Sequence, residues 1–77
     1  MTDAKHVYEI RPSPYRRTFD LISNTLPFGR SGGYITAAAA VRQAKAYSDS
    51  HSALIRVYDD AGNVIETHEH AGEFKEP

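Results

Sequence analysis

Cysteine is absent from this 77-residue chain. That excludes both a disulfide framework and a thiolate metal site, so stability must come from close packing or self-association. No apolar run approaches the roughly 20 residues of a membrane span. Residues 1–5 lack the basic and apolar regions of a signal peptide. A soluble, cytoplasmic protein with no membrane partner is therefore expected. The sequence also lacks an internal repeat and a catalytic or cofactor motif. No spacing sets a nucleophile, a base and an orienting group together, His6 and His51 receive no role, and no cofactor is expected.

Net charge is slight as well, −1, but it is unevenly spread. Residues 1–47 hold seven Lys/Arg against three Asp/Glu, and residues 48–77 hold two against seven. Such asymmetry raises the question of a nucleic-acid surface in the first half. Pairing of opposite charges on neighbouring strands is the simpler account.

What is present is one small domain over 1–77, ordered from about 5 to 71 with a flexible tail at 72–77. At this length the core is marginal. The most informative stretch is 54–70, LIRVYDDAGNVIETHEH, which reads as two strands joined by a turn. A type I turn over Asp59, Asp60, Ala61 and Gly62, with Gly62 at positive φ as a G1 bulge, pairs Asp59 with Asn63. Counting outward sets Tyr58 opposite Val64, Val57 opposite Ile65, Arg56 opposite Glu66 and Leu54 opposite His68. Opposed residues share a face. Ile55, Val57 and Ile65 then form the core face. Leu54, Arg56, Tyr58, Val64, Glu66, His68 and His70 form the other, with an Arg56–Glu66 ion pair supporting the register.

Earlier in the chain, alternation predicts a first strand over 6–11, stopped by Pro12 and Pro14, and a second over about 17–23 with Phe19 and Leu21 inward. A long loop at 24–35 follows, broken by Pro27, Gly29, Gly32 and Gly33. Thr36 suits an N-cap for a helix over 37–50. Its apolar stripe is Ala37, Ala40, Val41, Ala44 and Tyr47, while Arg42, Gln43 and Lys45 point to water. So many alanines permit close approach but bury little area, which leaves the sheet to supply most of the core.

The expected fold is α+β in β-β-α-β-β order: one four-stranded antiparallel sheet, order 2-1-3-4, with the helix on one face. A parallel pairing is disfavoured, because parallel sheets usually want both faces covered.

His6 and Val7 opening the first strand, TFDLI, AAAAVRQAKAYSDSHS and ALIRVYDDAGNVIETHEHAG together resemble small bacterial proteins classed as domains of unknown function with β-β-α-β-β order. The resemblance runs from His6 to Gly72, and its most specific part is the helix followed by the D-x-x-G hairpin. The glycine-containing loop before the helix is longer here than in that pattern. The resemblance implies a fold and no activity.

Four groups of residues are candidates for function. His68 and His70, in an H-x-H with Glu66 on the same face, stand roughly 6 to 7 Å apart along a strand, a workable spacing for metal ligands. Two solvated histidines are the simpler reading. Gly29, Arg30, Ser31, Gly32 and Gly33 lead to a helix N-terminus, which favours anions, although the spacing matches no phosphate-binding motif. Arg11, Arg16, Arg17, Arg30, Arg42 and Lys45, with Tyr15 and Phe28, carry the positive charge. The expected topology sends Arg16 and Arg17 to one end of the sheet and Arg30 to the other, so nucleic acid is not expected as a partner.

The fourth group is the interaction face: Leu54, Tyr58, Val64, Val7 and Ile22, on the side of the sheet that one helix leaves open. The preferred function is a small non-catalytic interaction module using this face, as a weak homodimer or with a protein partner. Tyr58 and Val64 would meet their symmetry mates, with Arg56 and Glu66 at the rim. The alternative is a small-anion or metal-binding protein.

Overall fold

Alternation in the first strand is present in the computed structural model, which describes residues 6–23, 26, 29–48 and 51–70. Strand β1 (His6–Pro12) buries Tyr8 and Ile10 completely and leaves Val7 exposed on the other side. It is followed by β2 (Phe19–Ile22), β3 (Arg30–Tyr34), α1 (Ala37–Ser48), β4 (Ala53–Tyr58) and β5 (Val64–His70). The tail at 72–77, residues 1–5, loop positions Asn24, Pro27 and Phe28 and helix positions 49 and 50 lie outside the described residues.

The fold is α+β, as expected, but among the described residues the sheet has five strands in the order β3-β2-β1-β4-β5 and is mixed. The neighbour relations expected for four strands recur as β2-β1-β4-β5, while the wholly antiparallel sheet does not. The reason lies in the segment expected to be a loop. Arg30–Tyr34 pairs antiparallel with β2 despite its glycines. That adds one reversal of the chain, so α1 returns the opposite way and β4 lies parallel to β1, with Tyr8 beside Ile55 and Ile10 beside Val57. Strand propensity in RSGGY is low, and the pairing rests on its neighbour.

Parallel pairing survives at the centre with a single helix because long side chains cover the second face. Glu9, Arg11, Arg56 and Tyr58 are each half-buried there. Arg11 Nε donates to Glu9 Oε1 at 2.9 Å, and its guanidinium carbon lies 3.9 Å from the centre of the Tyr58 ring. Stems and ring together shield the backbone while the charged ends reach water.

On the other face, Ala40, Val41 and Ala44 of α1 pack on Tyr8, Ile10, Leu21, Ala53, Ile55 and Val57, joined by Leu26 from the β2–β3 connection. The Thr36 hydroxyl accepts the Ala39 N–H at 3.0 Å, the expected cap. Two expected core members are out of place. Tyr47 is 46% exposed, and Ser48 takes the buried position. One turn beyond Ala44, the Ser48 hydroxyl donates to the Tyr8 hydroxyl at 3.2 Å, which makes burial of that polar group affordable. The other is Ile65, 57% exposed on β5.

Candidate functional site

The displacement of Ile65 begins at the β4–β5 turn. Gly62 has φ +89° and donates its N–H to Asp59 O at 3.1 Å, while Asp59 N–H donates to Asn63 O at 2.9 Å, as the residues require. Asp59 Oδ1 also accepts the Ala61 and Asn63 N–H groups, each at 2.9 Å. These donors, Asn63 foremost, hold the Asp59 carboxyl below its ordinary pKa.

Tyr58 pairs with Val64 as expected, but the next pair is Val57 with Glu66. Ile65 is the extra residue of a bulge. Every later pair is therefore shifted by one: Arg56 faces Thr67, Ile55 faces His68, Leu54 faces Glu69 and Ala53 faces His70. The expected Arg56–Glu66 pair does not form. Glu66, His68 and His70 leave the open face and stand on the α1 side of the sheet.

This places them at the outer border of the molecule. Among the described residues β5 has a strand neighbour on one side only, and Val64, Ile65, Glu66, Thr67 and Glu69 are exposed. Between β5 and α1 runs a groove of about 370 Å³, lined by Ala37, Ala38, Val41, Arg42, Lys45, Glu66 and His68. Small apolar side chains form its floor. Arg42 and Lys45 border it from the helix, and the His68 Nε2–Glu66 Oε1 contact of 2.9 Å borders it from the strand. Both members of that contact are well exposed, so it adds at most about 1 kcal/mol when His68 is protonated. Arg42 and Lys45 read from sequence as solvated; their position opposite Glu66 depends on the shifted register.

The metal candidates thus stay together on one face, but Glu66 and His68 bond to each other. No group of three or more His, Cys, Asp or Glu among the described residues is arranged to hold a metal ion. Arg30, Ser31, Gly32 and Gly33 lie along β3 instead of cradling the helix N-terminus, and the Ser31 hydroxyl and Tyr34 hydroxyl are 2.9 Å apart.

Arg16 and Arg30 come together, contrary to the topological expectation: both line a concavity of about 430 Å³ with Tyr15 and Asp20. Arg11, Arg16 and Arg17 line a second, about 750 Å³, shared with Asp59 and Asp60. Carboxylates thus accompany the arginines in each.

Leu54, Tyr58, Val64, Val7 and Ile22 all stand on the face opposite α1, in two separate pairs, Val7 with Leu54 and Tyr58 with Val64, and with Ile22 beside Glu9. Arg56 intervenes between the pairs on β4. Sequence reading also missed the His6 and His51 rings, stacked with centroids 4.6 Å apart. The two lie far apart in the chain, and no local pattern marks the contact.

No protein-family model, curated protein or solved structure matches this chain.

Proposed function

We propose that this protein is a small interaction module whose partner adds an extended strand to the β5 edge and lays alternate side chains in the groove beside α1. Strand addition draws affinity from main-chain hydrogen bonds and specificity from the pockets that receive every second side chain. The observation that carries this reading is the pairing of a seven-residue edge strand with a groove along it. The groove's chemistry favours a small apolar side chain over Val41 and an acidic one near Arg42 and Lys45. The face opposite α1 suits the role less well, because Glu9, Arg11 and Arg56 occupy its middle and Arg11 already stacks on Tyr58.

The test is selection of random nine-residue peptides on the full chain, followed by titration of isotope-labelled protein. Selected peptides are expected to shift and slow the exchange of amides at 64–70 and to shift Ala38, Val41 and Arg42. Binding confined to Val7, Leu54 and Tyr58, or no selected binder, would overturn the reading.

A further inference from the structure

We infer that the strand received by the β5 edge runs antiparallel to it and carries a carboxylate opposite His68, followed two positions later by an uncharged apolar side chain opposite Glu66. This rests on the proposed role of the β5 edge and names the partner's direction and charge pattern.

Past the bulge the ladder is regular from Glu66 to His70, so the residues of an incoming strand that oppose Glu66 and His68 share their face and point to the groove. The two positions differ in charge. Like charges directly opposite destabilise a strand pair and unlike charges stabilise it, so Glu66 rejects an acid that His68 accepts.

The helix repeats that gradation. It starts beyond Tyr34, at the end of the sheet where Phe19 pairs with both Tyr34 and Pro12. It ends at Ser48, whose hydroxyl reaches Tyr8 in the row of Ile55 and His68. Helix and β5 thus run the same way: Ala37 and Ala38 border the groove toward Glu66, and Arg42 and Lys45 follow toward His68. Neither Arg42 nor Lys45 has an ion-pair or hydrogen-bond partner among the described residues. The one described carboxylate lining the groove, Glu66, already bonds to His68. Two cations therefore remain for a carboxylate that the partner supplies.

Direction follows from exposure. Parallel pairs are slightly weaker per residue and want both faces covered. That holds for β1 and β4 at the centre of the sheet, whereas Glu66, Thr67 and Glu69 are exposed at its border. An antiparallel strand suits this edge, and in it the acid precedes the apolar residue.

Covalent capture fixes the register and reads the order. The chain has no native cysteine, and Thr67 is exposed. Opposed Cα atoms in an antiparallel pair lie about 4.5–5.5 Å apart, within disulfide reach. The Thr67→Cys chain is equilibrated with Val-Thr-Asp-Cys-Leu-Thr-Val and Val-Thr-Leu-Cys-Asp-Thr-Val, each as its mixed disulfide with mercaptoethanol. Antiparallel pairing through the two cysteines sets Asp against His68 in the first peptide and against Glu66 in the second. The first should be captured about fivefold more. Adding Glu66→His with His68→Glu should reverse the preference, and adding Arg42→Gln with Lys45→Gln should reduce it. Each readout is a ratio within one chain, so a change in stability does not imitate it.

A control peptide carries proline on both sides of its cysteine, which forbids strand pairing. If both peptides exceed this control but are captured equally, or the second is preferred, the inference fails and the β5 edge reading stands. A preference that survives the Glu66 and His68 exchange also sinks the inference. Capture of neither peptide above the control would remove the edge reading as well.

Discussion

At one border of the sheet β3 runs five residues through two glycines, one of them at φ +86°; at the other β5 runs seven residues with neither glycine nor proline. The β2–β3 ladder is broken by an irregularity between Phe19 and Leu21, and the Ser31 and Tyr34 side chains close over the short strand. These features blunt an edge. On β5 the single bulge lies beside the turn, and the rest is extended and exposed. The two borders differ in consequence: β3 reverses the chain so that β4 returns parallel to β1, and β5 has a strand neighbour on one side only among the described residues.

The largest effects should come from the strands beneath the two borders. Leu21 on β2 and Ile55 on β4 are both fully buried, and truncation of either to alanine should cost about 2–5 kcal/mol in urea unfolding. Amide exchange should then separate them, with Leu21→Ala releasing β3 first and Ile55→Ala releasing β5 first. Release of the same strand by both would mean that the borders are not independent.

Next in size are the left-handed glycines. Nothing lies within 4 Å of a Cβ built at Gly33 or Gly62, so valine at either position is opposed by backbone strain alone, about 1–3 kcal/mol. Gly33→Val should loosen β3, and Gly62→Val should loosen the β4–β5 hairpin. Unchanged melting of either variant would remove its positive φ from the account.

The smallest effect is electrostatic and confined to the β5 side. The Asp59 carboxyl has a lowered pKa in the folded chain, so its contribution is complete above the ordinary Asp range. It is lost as pH falls through the lowered value, when the unfolded state takes up the proton first. Acidification should therefore loosen the β4–β5 turn in amide exchange more than the β2–β3 connection. Asp59→Asn should cancel that difference, because the amide oxygen still accepts the turn's N–H groups but no longer titrates.

Legibility differed along the chain for reasons that particular residues supply. Turn chemistry was readable at Asp59 and Gly62, and the cap at Thr36, because each depends on a few adjacent residues. The register of β5 was not. After Ile65 the strand reads Glu-Thr-His-Glu-His, with no apolar alternation to hold it to one face, so a one-residue slip meets no burial penalty. The metal candidates and the expected Arg56 partner were displaced by that slip alone. Ser48 escaped notice for the converse reason, since its buried hydroxyl depends on Tyr8, far away in sequence.

By itself the sequence determined the α+β class, the capped alanine-rich helix, the glycine turn, and the inward set of Tyr8, Ile10, Leu21, Ile55 and Val57. All of these follow from local stereochemistry and from period-two or helical burial. Only the tertiary structure decided that RSGGY is a strand, that β1 and β4 are parallel, and that Glu66 and His68 face Arg42 and Lys45 across a groove. Pairing partners, and not propensity, set those features: a weak strand forms where a neighbour offers a ladder, and one reversal or one bulge changes the direction or face of everything that follows it.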